Sequence, residues 1–102
     1  MNEGARALRN GEFNAAVTHL TTAINSGEIF GEAFAVMHIS RAQAFYHLEE
    51  YDKAVADLTL AIESNVINDA LVGIALATRA SAYRMSDNWS SAIEDFDAAI
   101  DL

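Results

Sequence analysis

Across residues 51–62 the apolar side chains Ala54, Val55, Leu58, Ala61 and Ile62 fall at i, i+1, i+4, i+7 and i+8, while Asp57 and Glu63 stand off that stripe. Such spacing predicts a helix that buries one face. The same order of residue classes recurs over 13–24 and over 89–100. Between these stretches the pattern predicts further helices. A short one covers residues 2–9, with Gly4, Ala5 and Leu8 apolar, and ends at the turn pair Asn10-Gly11. A long one covers about 29–48, with Ala42, Phe45 and Leu48 on one stripe. A third starts at Asn68-Asp69, an N-cap followed by an acidic first turn, and runs through Met85. Asn25-Ser26-Gly27 and Asn65 supply helix stops, because Gly and Asn accept the left-handed conformation that closes a C-terminus. Ser86-Asp87-Asn88 forms the next turn, with Asp87 or Ser90 expected to cap the final helix. Nothing alternates with period two over the length of a strand, so the expected fold class is all-α.

The helices repeat. Ala16, Ala54 and Ala92 are 38 residues apart, and the same step relates Phe13, Tyr51 and Trp89, then Leu20, Leu58 and Phe96, then Ala23, Ala61 and Ala99, then Ile24, Ile62 and Ile100. It extends into the preceding helices through Gly4, Ala42 and Ala80, through Arg41 and Arg79, and through Phe45 and Tyr83. A fixed period in the range of about 20–50 residues marks a stacked array in which no helical pair buries its apolar face alone. The small alanines at 16, 54 and 92, and at 42 and 80, have a packing role, since two helices approach closely only where side chains are small. Arg41 and Arg79 recur in first helices as Asp57 and Asp95 do in second helices, which predicts one Arg–Asp pair inside each of the last two units. The first unit has Glu3 and His19 at the matching places, inverting the polarity. The competing reading of the two arginines is a ligand grip in a groove.

Ala42, Phe45, Tyr51, Ala54, Leu58 and Ala61, and the run Glu50-Tyr51-Asp52-Lys53-Ala54-Val55-Ala56-Asp57-Leu58 in particular, resemble the tetratricopeptide repeat. The likeness covers nearly the whole chain as three units, about 1–28, 29–66 and 67–102, in a single domain. It implies a right-handed α-solenoid of three antiparallel helix pairs. The period departs from the family's usual length of about 34, and four extra residues are about one helical turn, so the first helices of units two and three should be long. His38 and Leu76 stand where the family often has Trp, and the usual proline after the second helix is absent.

In this family the first helices line a concave groove. The resemblance therefore implies a peptide-binding stripe of Val36, Ile39, Ser40, Gln43, Tyr46 and His47, continued one period on by Ile74, Ala77, Thr78, Ser81, Arg84 and Met85. A mixture of apolar anchors and hydrogen-bonding groups suits an extended or helical peptide. Some members hold the terminal carboxylate of heat-shock chaperones with lysines and asparagines. The matching places here hold Ala5, Ser40, Ile74 and Thr78, with only Gln43 offering an amide, so that ligand is not expected.

Composition narrows the functional classes. Hydrophobic residues make up 52% and charged residues 21% of 102, with neither Pro nor Cys, which is a globular balance without a disulfide framework. A net charge of −9 with six basic residues opposes binding to nucleic acid or an anionic membrane and favours basic partners. No apolar run is long enough for a membrane span and no signal peptide is read, which leaves the cytoplasm as the default compartment. His19, His38 and His47 share no i, i+3 or i+4 relation, and there is no Gly-rich phosphate loop or nucleophile elbow. The expectation is a protein–protein interaction module without catalysis, cofactor or metal. The alternative is that exposed repeat ends pair to form a homo-oligomer, or that the chain is a fragment of a longer array.

Overall fold

The computed structural model describes residues 11–102, which form five helices: α1 (Phe13–Asn25), α2 (Gly31–His47), α3 (Tyr51–Glu63), α4 (Asp69–Met85) and α5 (Trp89–Ile100). There is no strand among the described residues. The helix expected over 2–9, with Glu3 and Ala5, lies outside them. Each helix packs on its predecessor and successor, and α2 also touches α4. Contacts between neighbours in sequence, joined by short loops, give the molecule its order. None of the described helices is long and apolar enough to cross a membrane.

Element lengths alternate with the period. α2 and α4 have 17 residues each, against 13 for α1 and α3 and 12 for α5. The extra turn expected in the first helices is therefore present. The turns repeat as well. Gly11, Glu49 and Asp87 occupy the left-handed region at φ 77°, 62° and 62°, and Gly27 and Asn65 do so at φ 75° and 59°. Ser26 and Ser64 each cap a helix end by donating from Oγ to the carbonyl of Ala23 at 2.7 Å and of Ala61 at 2.6 Å. Asn68 is the N-cap of α4, its Oδ1 accepting from the Leu71 amide at 2.9 Å. At α5 the expected caps are corrected. The N-cap is Asn88, which makes no side-chain cap bond, because the turn there reproduces the 11 and 49 geometry and commits Asp87 to a positive φ.

The core is built on the alanine columns. Ala16, Ala42, Ala54 and Ala80 are fully buried and Ala92 is nearly so, letting the helices approach while Leu20, Met37 and Leu58 fill the space beside them. Met37 and Ala44 of α2 close over Ala16 and Leu20 of α1. Ala75 of α4 joins Leu58 and Ala61 of α3 in the same way. His38 is buried at 4% exposure and satisfied locally, Nδ1 donating to the Phe34 carbonyl at 2.8 Å.

Each interior arginine ties three helices. Arg41 donates from Nε to Asp57 Oδ2 at 2.8 Å and from Nη2 to Oδ1 at 2.7 Å, a two-point bond from α2 to α3. Its remaining arm, Nη1, reaches back to Thr21 Oγ1 on α1 at 3.2 Å. Arg79 repeats this with Asp95 at 2.7 and 2.8 Å and with Thr59 at 3.0 Å. Each guanidinium also lies over an aromatic ring one turn on, Arg41 over Phe45 at 5.7 Å and Arg79 over Tyr83 at 5.9 Å. The paired carboxylate raises the pKa of both arginines beyond the ordinary range, against an opposing effect of burial. These arginines are committed to structure: all three nitrogens of each guanidinium bond to side chains of the neighbouring helices.

Candidate binding groove

Helical spacing sets the groove. Val36, Ser40, Gln43 and His47 follow steps of four, three and four along α2, and Ile74, Thr78, Ser81 and Met85 repeat them along α4. Because α2 touches α4, these stripes can face a common space. Between them lies an open concavity of about 600 Å³. Of the expected residues it is lined by Gln43, Tyr46 and His47 from α2 and by Thr78 and Ser81 from α4. Ala77 of the expected stripe lines it as well.

The other expected residues fall elsewhere. Ile39 is corrected to the core. At 4% exposure it packs with Ala35, Ala42 and Phe45, since 35, 39, 42 and 45 follow helical steps along the side of α2 that meets α3. Val36 and Ser40 are half-buried outside the concavity. Ile74, Arg84 and Met85 are exposed and do not line it, so the face is shorter than the full stripe.

Sequence reasoning missed Phe13 and Gly11, which close the groove at its α1 end. Phe13 stacks on His47 with ring centroids 4.5 Å apart and planes 16° from parallel. Tyr46 meets His47 edge-on at 5.6 Å and Tyr51 at 5.5 Å. One end of the concavity is thus an aromatic cluster, and the other presents hydroxyls. Thr78 Oγ1 donates to the Ile74 carbonyl at 2.9 Å and Ser81 Oγ to the Ala77 carbonyl at 3.0 Å. With those protons engaged inside the helix, both oxygens keep their lone pairs as acceptors. The signal for Phe13 was its column, shared with Tyr51 and Trp89, which marks a turn-adjacent aromatic but not which side it serves.

Among the described residues the lining carries no acidic side chain. Apart from the buried, arginine-paired Asp57 and Asp95, acidic residues lie on helix ends and outer surfaces, as at Glu12, Glu28, Glu49, Asp69 and Asp87. Burial, with the nearby Glu49 and Tyr46, raises the pKa of the Tyr51 hydroxyl, so it stays protonated through the neutral range. No group of three or more potential metal ligands occurs among the described residues. The chemistry on offer is stacking, apolar contact and hydrogen bonding. No family model, curated protein or solved structure matches this chain.

Proposed function

We propose that the protein is a tetratricopeptide-type interaction module, a right-handed solenoid of antiparallel helix pairs that holds a peptide segment in the groove between α2 and α4 and performs no chemistry of its own. The observation that carries this reading is the concavity itself, in which Gln43, Tyr46 and His47 of one period meet Thr78 and Ser81 of the next. Aromatic rings at one end suit an apolar or aromatic peptide side chain. The Gln43 amide and the two hydroxyl acceptors suit the peptide backbone beside it. The surface described by residues 11, 13, 43, 46, 47, 77, 78 and 81 is short, so a segment of about five to eight extended residues would fill it.

The test is selection from a displayed library of random dodecapeptides, followed by titration of the best binders into wild type, Tyr46→Ala and Gln43→Ala. Loss of Tyr46 should weaken binding at least tenfold, the scale of an interface aromatic anchor. Selected peptides that bind both variants as tightly as wild type would show that the groove is not the binding face.

A further inference from the structure

The groove sets acceptor oxygens beside flat rings. Thr78 and Ser81 give their protons to the Ile74 and Ala77 carbonyls at 2.9 and 3.0 Å, so hydroxyls that could have donated to an anion are committed as acceptors. The Gln43 carbonyl is a further acceptor in the same lining, and Phe13, Tyr46 and His47 supply the rings. Among the described residues no lysine or arginine lines the concavity. Elsewhere the protein shows what a ring and a threonine hydroxyl hold together. Arg41 lies 5.7 Å from the centre of Phe45 and donates to Thr21 at 3.2 Å, and Arg79 lies 5.9 Å from the centre of Tyr83 and donates to Thr59 at 3.0 Å. Those interior sites add a carboxylate, Asp57 or Asp95, because a buried cation needs its counter-charge. The groove is open, so a cation seated there keeps part of its water. The chain's net charge of −9 favours its approach, with Glu12 next to Phe13 and Glu49 two residues beyond His47.

We infer that the segment held in the groove is anchored by an arginine, its guanidinium flat against the aromatic end and its N–H groups directed to the oxygens of Gln43, Thr78 and Ser81. The inference rests on the groove reading above and sharpens it: rings that take any flat side chain are given a charge preference by the oxygens beside them and by the field of the molecule. A guanidinium is planar, weakly hydrated and a donor without acceptors, which matches rings and oxygens at once. A lysine ammonium is compact and strongly hydrated and stacks less well. A phenyl ring would stack but leave the oxygens to water. A carboxylate is opposed twice, by the committed hydroxyls and by the net negative charge.

The probe is the tightest selected dodecapeptide whose binding is lost in Tyr46→Ala, and the peptides of that class should share an arginine. It is titrated beside the same peptide with citrulline, lysine or phenylalanine in place of that arginine. Citrulline keeps the length and the planar end and removes the charge, so it should bind about tenfold more weakly, as for lost bonds to a charged group. The arginine form should also weaken with added salt while the citrulline form does not. In the protein, Thr78→Val removes one acceptor at nearly constant size and should narrow the arginine-to-citrulline gap to about threefold; an unchanged melting temperature confirms that this variant folds. Tyr46-dependent peptides without a shared arginine, or equal affinity for the arginine and citrulline forms, would overturn the inference and leave the groove standing. So would an anchoring aspartate or glutamate, or a full tenfold gap in Thr78→Val. Selected peptides that all bind Tyr46→Ala as tightly as wild type would overturn the groove reading and this one with it.

Discussion

Replacing Asp57 with alanine tests the three-helix arginine tie most directly. The substitution removes both 2.7–2.8 Å bonds and leaves the Arg41 guanidinium, whose side chain is 17% exposed, without its counter-charge. Breaking a fully buried pair by deleting one partner costs about 3–5 kcal/mol. Arg41 retains some access to water and its Thr21 bond, so the cost falls just below that range, about 2–3 kcal/mol. For a domain with about 5–10 kcal/mol of total stability, this lowers the melting temperature by roughly 10–20 °C. Urea denaturation and calorimetry measure both quantities. The double variant Arg41→Met with Asp57→Leu should regain most of the loss, because apolar replacement of a buried pair is often neutral. A loss below about 0.5 kcal/mol for Asp57→Ala, the usual range of surface changes, would refute the reasoning. So would a double variant as unstable as the sum of its singles.

Ala54→Leu should cost about 1–3 kcal/mol by overpacking a fully buried helix contact, and unchanged denaturant stability would count against the packing described. Glu49→Gly should stabilise by about 0.5–1 kcal/mol, since it relieves a positive φ of 62°; a lower urea midpoint would contradict that. Arg41→Lys should introduce a pH dependence. A raised cation pKa contributes stability that is present in full below the unfolded value and lost as pH rises through the folded one. For the native arginine both values lie beyond the alkaline range in which the protein can be studied. For lysine the unfolded value is about 10.4, so the difference in melting temperature between variant and wild type should stay constant below about pH 10 and widen above it, and a constant difference throughout would refute it.

Much of the helix pattern was legible because burial imposes a period on residue classes. The 38-residue columns located every described helix to within about two residues, and the Arg41–Asp57 and Arg79–Asp95 pairs followed from their shared offset. Three features were not legible, each for a physical reason. Thr21 and Thr59 are residues that solvate a helix surface equally well, so nothing in the sequence announces their bonds to arginine. Glu49 and Asp87 adopt a left-handed turn at some cost, and only their offset from Gly11 reveals it. Ile39 sits one helical step from the groove stripe, about 100° around α2 from Ser40, and an apolar residue there fits either face until α3 is placed.

The backward reach of Arg41 to Thr21 and of Arg79 to Thr59 has a consequence for how the molecule opens. In an array where each hairpin touches only its neighbours, hairpins can fray one at a time. A guanidinium shared by two hairpins opposes this, because detaching α1 also loosens the bond that closes α2 on α3. Hydrogen exchange should therefore show α1 and α3 opening together in the native protein. Cutting the link with Thr21→Val should let α1 exchange on its own, turning one cooperative unit into two.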